Sequence, residues 1–274
     1  MQNRTDLALE SYQSAEKTEI DGVIVKQKND ITIVDVVNEN GAKVLGKPIG
    51  RYITLFVKSF VDDTDIFDGR LDVFSNVLKN VLPKNLNSIL VVGLGNDEIT
   101  ADALGPQASN YVLATRHIID ELKNSANFQN MFNVSTISSG VLGKTGIETY
   151  EIIKGIVNQI QPSCVITVDA LAASSADRLG NTIQFSNAGI TPGSGVGNHR
   201  KEISSKTLGI PVIAIGIPTV VCTGLLSGKS EDDAFVTPKD IDRITQQGAK
   251  LIGMGINVCM QKDMSVKDLL ALVG

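Results

Sequence analysis

SILVVGLGND, residues 88–97, decides the fold. Residues 89–92 are apolar without alternation, as a strand covered on both faces requires. Gly93 and Gly95 then mark a tight turn out of that strand. In a dinucleotide site the next helix N-terminus takes phosphate. Here Asp97 and Glu98 stand at that place, Glu98 where G-x-G-x-x-G has its third glycine, and Asp102 follows. Two carboxylates repel pyrophosphate. The turn therefore points to acid chemistry or to capping.

From residue 88 onward apolar strands alternate with amphipathic helices. Strands are expected in SILVVGLG, FNVSTISSG, SCVITVDAL and IPVIAIGIP, with helices near 103–123 and 147–160. Thr145 and Glu148 have capping-box spacing for the second helix, with Ile147, Tyr150, Ile153, Val157 and Ile160 on one face. TPKD (237–240) reads as another helix start and SVKDLLALV as a final helix. Upstream, residues 22–27, 30–38 and 51–59 read as strands, 39–50 as turns, and 68–82 as a helix. Residues 1 to about 20 lack periodicity and form a mobile or dockable tail. The class is α/β, a mostly parallel sheet with helices on both faces and an N-terminal β-rich extension. The extension spans 7–84 and the core 85–274, and the two are expected to form one compact unit.

The bulk numbers narrow the function. The chain has 274 residues, 42% hydrophobic and 20% charged, a globular composition with no apolar run of membrane-spanning length. Net charge is −5, against non-specific nucleic-acid binding. Two histidines exclude a multi-histidine metal centre, and Cys164, Cys222 and Cys259 form neither a disulfide framework nor a zinc pattern. The N-terminus lacks a secretory core, so a cytoplasmic location is expected.

Two sites compete. SSGVLGKTG (138–146) follows a strand and nearly spells a phosphate loop, but Ser138 stands where G-x-x-x-x-G-K-[ST] needs glycine. A nucleotide-binding domain using this loop is the alternative. The other site follows from topology. Ligands of open α/β sheets bind beyond the carboxyl ends of strands. Asp102 follows the 88–94 strand and Asp169 ends CVITVD. On one rim the two carboxyls would not both ionise, giving a base for water and an acid for the amide. The bland reading is that both cap.

The chain resembles the germination proteases of spore-forming bacteria. The carriers are RTDLALE (4–10), GRYITL (50–55), VVGLGNDEITADALGP (91–106), GVLGKTGIET (140–149), VITVDALAA (165–173), TPGSGVGNHRKEIS (191–204) and GIPVIAIGIPTVV (209–221). The resemblance implies a core similar to the hydrogenase-maturation proteases, phosphorylase/hydrolase-like in architecture. It implies an aspartic-type endopeptidase with Asp102 and Asp169 at its centre, acting after Glu on small acid-soluble spore proteins in the spore core. It implies a zymogen with residues 1–6 as propeptide, cut between Asp6 and Leu7, and a homotetramer. No metal or other cofactor is expected, since no histidine matches the metal ligand of the maturation proteases, and neither nucleic acid nor membrane is an expected partner. KTEID (17–21) echoes the substrate pattern. The sequence departs from the family at Cys222, where an acid is usual.

Five other residues are candidates for substrate contact or support of the dyad. Arg200 and Lys201, beside His199, could meet the substrate's glutamate by charge-assisted hydrogen bonds. Asp97 and Glu98 could tune the dyad or cap a helix. Lys144 could contact the substrate backbone. A cysteine nucleophile is not expected, because no histidine is spaced to activate one.

Overall fold

The computed structural model describes residues 5–15, 19–62, 68–121, 131–197, 200–222 and 234–273. Among them, nine strands form one sheet. They are β1 (Val23–Lys28), β2 (Ile31–Val36), β3 (Gly50–Phe56), β4 (Ser88–Gly93), β5 (Asn133–Ser138), β6 (Cys164–Ala173), β7 (Thr182–Ser186), β8 (Val212–Cys222) and β9 (Phe235–Val236). Their order is β1-β2-β3-β7-β8-β6-β4-β5, with β9 paired to β8. The expected parallel sheet is the four-strand block β5-β4-β6-β8. Beyond β8 every pairing is antiparallel. The N-terminal strands thus extend the same sheet, joined through β3 and β7.

The central strands β4, β6 and β8 are buried on both faces. In β4, Ile89 and Val91 face one layer while Leu90 and Val92 face the other. The first layer holds α3 (Arg70–Lys79), α4 (Leu104–Asn110), α9 (Ile241–Met260) and α10 (Val266–Val273). The second holds α7 (Thr149–Ile160) and α8 (Ser205–Leu208). Phe74 of α3 meets Phe185 of β7 at 4.9 Å between ring centroids, tilted by 60°. That geometry suits the ring quadrupoles and ties the N-terminal half to the core.

Several local expectations are corrected. Residues 39–50 contain α2 (Glu39–Leu45), whose first turn is capped by the Asn38 side chain accepting from the Gly41 N–H. Thr145 is not the cap of α7. It ends α6 (Leu142–Thr145), Gly146 turns the chain at φ 68°, and Thr145 Oγ1 accepts from the Ile147 N–H instead. TPKD precedes α9, which starts at Ile241 after Asp240. The helix near 103–123 is broken into α4 and α5 (Arg116–Glu121), because Asn257 of α9 accepts from the Leu113 N–H and donates to the Tyr111 carbonyl. The dockable tail is α1 (Ala8–Ser14), packed through Ala8 on a small core with Val34, Leu45 and Tyr52.

Candidate active site

The glycine turn answers its own puzzle. Gly93 ends β4, and Gly105 of α4 is pressed against the strands. A Cβ at Gly105 would lie 2.3 Å from the carbonyl oxygens of Leu94 and Val168. The glycines therefore serve close backbone packing of helix on sheet. Between them the chain loops out through Gly95, at φ 110°, and returns in a single helical turn, Thr100–Asp102. The Asn96 N–H, a donor that a phosphate loop would offer its ligand, donates instead to Asp102 Oδ2 at 2.7 Å. The loop has built a carboxylate into the place of the anion.

Two hydroxyls from neighbouring elements fix that turn. Thr219 of β8 donates to the Ala101 carbonyl at 2.7 Å, and Thr245 of α9 donates to the Thr100 carbonyl at 3.1 Å. Asp102 is half-buried. Burial raises its pKa above the ordinary carboxylate value, with the Asn96 N–H opposing.

Asp169 lies in β6, directly paired with Gly216 of β8. It is 5% exposed. Its pKa is pushed well above the usual range, first by burial, then by the charges of Asp102 and Asp6. The Ala170 N–H donates to its Oδ1 at 2.9 Å and offsets part of this. Asp102 and Asp169 line one cavity of about 310 Å³ at the carboxyl rim of the parallel strands. Of the two, Asp169 has the stronger upward push, because it is the more deeply buried and faces two acids.

The N-terminal segment runs into this cavity. The Asp6 N–H donates to the Ala172 carbonyl at 2.8 Å, so the segment adds to the end of β6 as a further strand would. The Asp6 carboxylate accepts from the Ala172 N–H at 2.9 Å and from Ser194 Oγ at 2.8 Å. Gln184 of β7 brackets the next peptide bonds: its Nε2 donates to the Asp6 carbonyl at 2.9 Å, and its Oε1 accepts from the Ala8 N–H at 2.8 Å. Leu7 is fully buried against Leu171. Glu10 is buried too, taking the Ser174 and Ser175 N–H groups and the Thr5 hydroxyl. Lys47 donates to the Thr5 carbonyl at 2.8 Å, and its burial lowers its pKa against the opposing pull of Asp6 and Glu10.

The other candidates divide. Arg200 and Lys201 line the cavity. Arg200 is 3.8 Å from Glu148, and the Lys201 ammonium sits 4.0 Å above the Tyr150 ring. Asp97, Glu98 and Lys144 do not line it. Lys144 pairs with Asp97 at 2.7 Å and with Glu98 at 2.9 Å, all near the surface. Glu98 caps no helix. In place of a phosphate cradle, residues 142–145 form one helical turn whose lysine is already neutralised. Cys164, Cys222 and Cys259 are buried, and burial lifts the Cys164 thiol to about 12. His199, residues 1–4 and the Lys17-Thr18 part of KTEID lie outside the described residues.

Sequence reasoning missed Gln184, Ser194, Glu148 and Lys47. Ser194 stood within a quoted motif, TPGSGVGNHRKEIS, but nothing local marks its hydroxyl as a carboxylate donor. Gln184 lies in a strand that the alternation in NTIQFSN signalled only weakly. Among the described residues, no group of three His, Cys, Asp or Glu side chains could hold a metal ion, and no helix is long and apolar enough to cross a membrane.

The model of the germination protease family matches residues 3–232. A germination protease of Clostridium perfringens is 38% identical over 320 aligned positions, covering 97% of each chain. One from Caldanaerobacter subterraneus is 38% identical, covering 97% of this chain and 96% of its own. One from Priestia megaterium is 49% identical, covering 80% of this chain and 63% of its own. Among solved structures, a nickel–iron hydrogenase maturation protease of Thermococcus kodakarensis aligns with a TM-score of 0.39 at 19% identity, over 66% of this chain and 99% of that one.

Proposed function

The chain belongs to the germination protease family, and from that premise we propose that it is an aspartic-type endopeptidase whose acid and base are Asp169 and Asp102. Asp169 carries the proton. Asp102, ionised, takes a proton from water, whose oxygen attacks the scissile carbonyl carbon. Asp169 gives its proton to the carbonyl oxygen. The tetrahedral intermediate collapses as Asp102 protonates the leaving nitrogen and Asp169 recovers a proton from the hydroxyl. No metal or other cofactor takes part. The observation carrying this reading is a 5% exposed Asp169 sharing its cavity with Asp102 at the strand rim.

The substrates in this reading are small acid-soluble spore proteins in the spore core, cut after glutamate. The chain is a zymogen that processes itself between Asp6 and Leu7. Support comes from the docked segment, which sets Asp6 against the dyad and buries Leu7. Assembly into a homotetramer, testable by sedimentation, would keep folded bystanders from the cavity. Neither nucleic acid nor membrane is a direct partner.

The test is mass spectrometry of the full chain incubated with a peptide carrying Thr-Glu-Ile-Ala, with and without chelator. Cleavage after Glu that survives chelator and disappears in Asp102→Asn and Asp169→Asn, with appearance of an N-terminus at Leu7, is expected. Activity retained in either variant would remove that residue from the chemistry. Activity lost to chelator would point to a metal held by the two carboxylates.

A further inference from the structure

Resting on the endopeptidase reading, we propose that the Ala172 N–H and the Ser194 hydroxyl form the recognition subsite for the acidic side chain preceding the cleaved bond. In the unprocessed chain Asp6 fills this subsite. Each of its carboxylate oxygens has its own donor: Oδ2 accepts from the Ala172 N–H at 2.9 Å and Oδ1 from Ser194 Oγ at 2.8 Å. The same residue is held by its backbone, the Asp6 N–H donating to the Ala172 carbonyl at 2.8 Å. A peptide residue is thereby gripped at main chain and side chain together, three positions along β6 from Asp169.

Room for the carboxylate depends on a missing side chain. A Cβ on Gly195 would lie 2.3 Å from Asp6 Oδ2. Any other residue there would displace the acid. The buried ammonium of Lys47 adds attraction for negative charge at Asp6 without touching it in this geometry. The cations that sequence reasoning favoured for this task are engaged elsewhere, Arg200 toward Glu148 and Lys201 over Tyr150. A carboxylate held by a backbone N–H and a hydroxyl gains charge-assisted hydrogen bonds without the desolvation cost of burying a second ion. An apolar side chain would leave the Ala172 N–H unpaired, the kind of loss that makes polar subsites selective.

The experiment compares kcat/KM of the self-processed protein for two peptides, one with glutamate before the cleaved bond and one with near-isosteric methionine. Ser194→Ala should lower the Glu/Met ratio about tenfold, mainly through the KM of the glutamate peptide. Ser194→Thr, which keeps the hydroxyl, should restore it. The ratio should survive Arg200→Ala. An unchanged ratio in Ser194→Ala, or a collapse in Arg200→Ala alone, overturns the subsite while leaving the endopeptidase reading standing. A wild-type chain that neither processes itself nor cuts either peptide overturns that reading, and the subsite with it.

Discussion

Asp169 of β6 and Gln184 of β7 flank the same residue, Gly216 of β8, in register across three strands. Directly paired residues point to the same face of a sheet. The acid and the amide therefore stand on one face, the Leu171 side chain lies over Gly216 where a Cβ would meet it at 2.6 Å, and the backbone of Asp6 is held on this face by Gln184 Nε2. The carbonyl it holds is the one that cleavage between Asp6 and Leu7 would attack.

Gln184→Leu keeps the volume and removes the donor. Self-processing should slow at least about tenfold, as when one preorganised donor to a developing oxyanion is lost. The full chain should also lose roughly 1–2 kcal/mol from two broken hydrogen bonds. Time-resolved mass spectrometry of the N-terminus and urea denaturation check the two effects. Unchanged processing would reduce Gln184 to a docking contact.

Asp169 should leave a pH signature in stability. Its pKa in the fold lies well above the 3.8 of a free aspartate. Its favourable contribution is then fully present below 3.8 and is lost as pH rises through the folded value. Asp102, also raised, has the same sign. Asp169→Asn should therefore be as stable as wild type or more so at neutral pH. Across the window between the raised value and 3.8, acidification should move the difference toward wild type. Thermal melts of both proteins at several pH values decide it. A wild-type advantage that grows with rising pH would mean that Asp169 is ionised and paired in the fold.

Thr219→Val removes a hydroxyl that anchors the turn carrying Asp102, without touching the cavity's charge. The expected result is a drop of about tenfold in kcat with KM little changed, since misplacing a catalytic group affects the transition state more than binding. The stability loss should be about 1 kcal/mol. Steady-state kinetics normalised to the folded fraction, measured by circular dichroism, separates this from partial unfolding, which lowers apparent kcat in the same way.

Gly105→Ala tests the packing reading of the glycine turn. The new methyl would sit 2.3 Å from the carbonyl oxygens of Leu94 and Val168, and both belong to backbone that cannot yield cheaply. A loss of roughly 3 kcal/mol is expected by urea denaturation. A neutral substitution would show that α4 can lift from the sheet.

Much of the core was legible locally. The largely apolar runs at 89–92, 165–168 and 212–217 read as strands buried on both faces, and the carboxyl-rim rule then put Asp102 and Asp169 on the same edge. Local chemistry failed where tertiary contacts outvoted it. Asn257, 144 residues away from Leu113, breaks the helix near 103–123. Gly146 defeats a capping box that spacing alone supports.

What the sequence by itself determined is therefore the α/β class, the parallel block and the shared rim of Asp102 and Asp169, because hydrophobic periodicity and the polarity of a strand are local properties. Only the tertiary structure decided the rest of the site. It brought Gln184 and Ser194 to the Asp6 segment, and turned Lys144 away to Asp97 and Glu98. It also set Asp169 deep enough for burial to push its pKa well above that of a free aspartate. Those outcomes depend on which distant groups share a cavity and how much water reaches them, and neither is written in the spacing of residues along the chain.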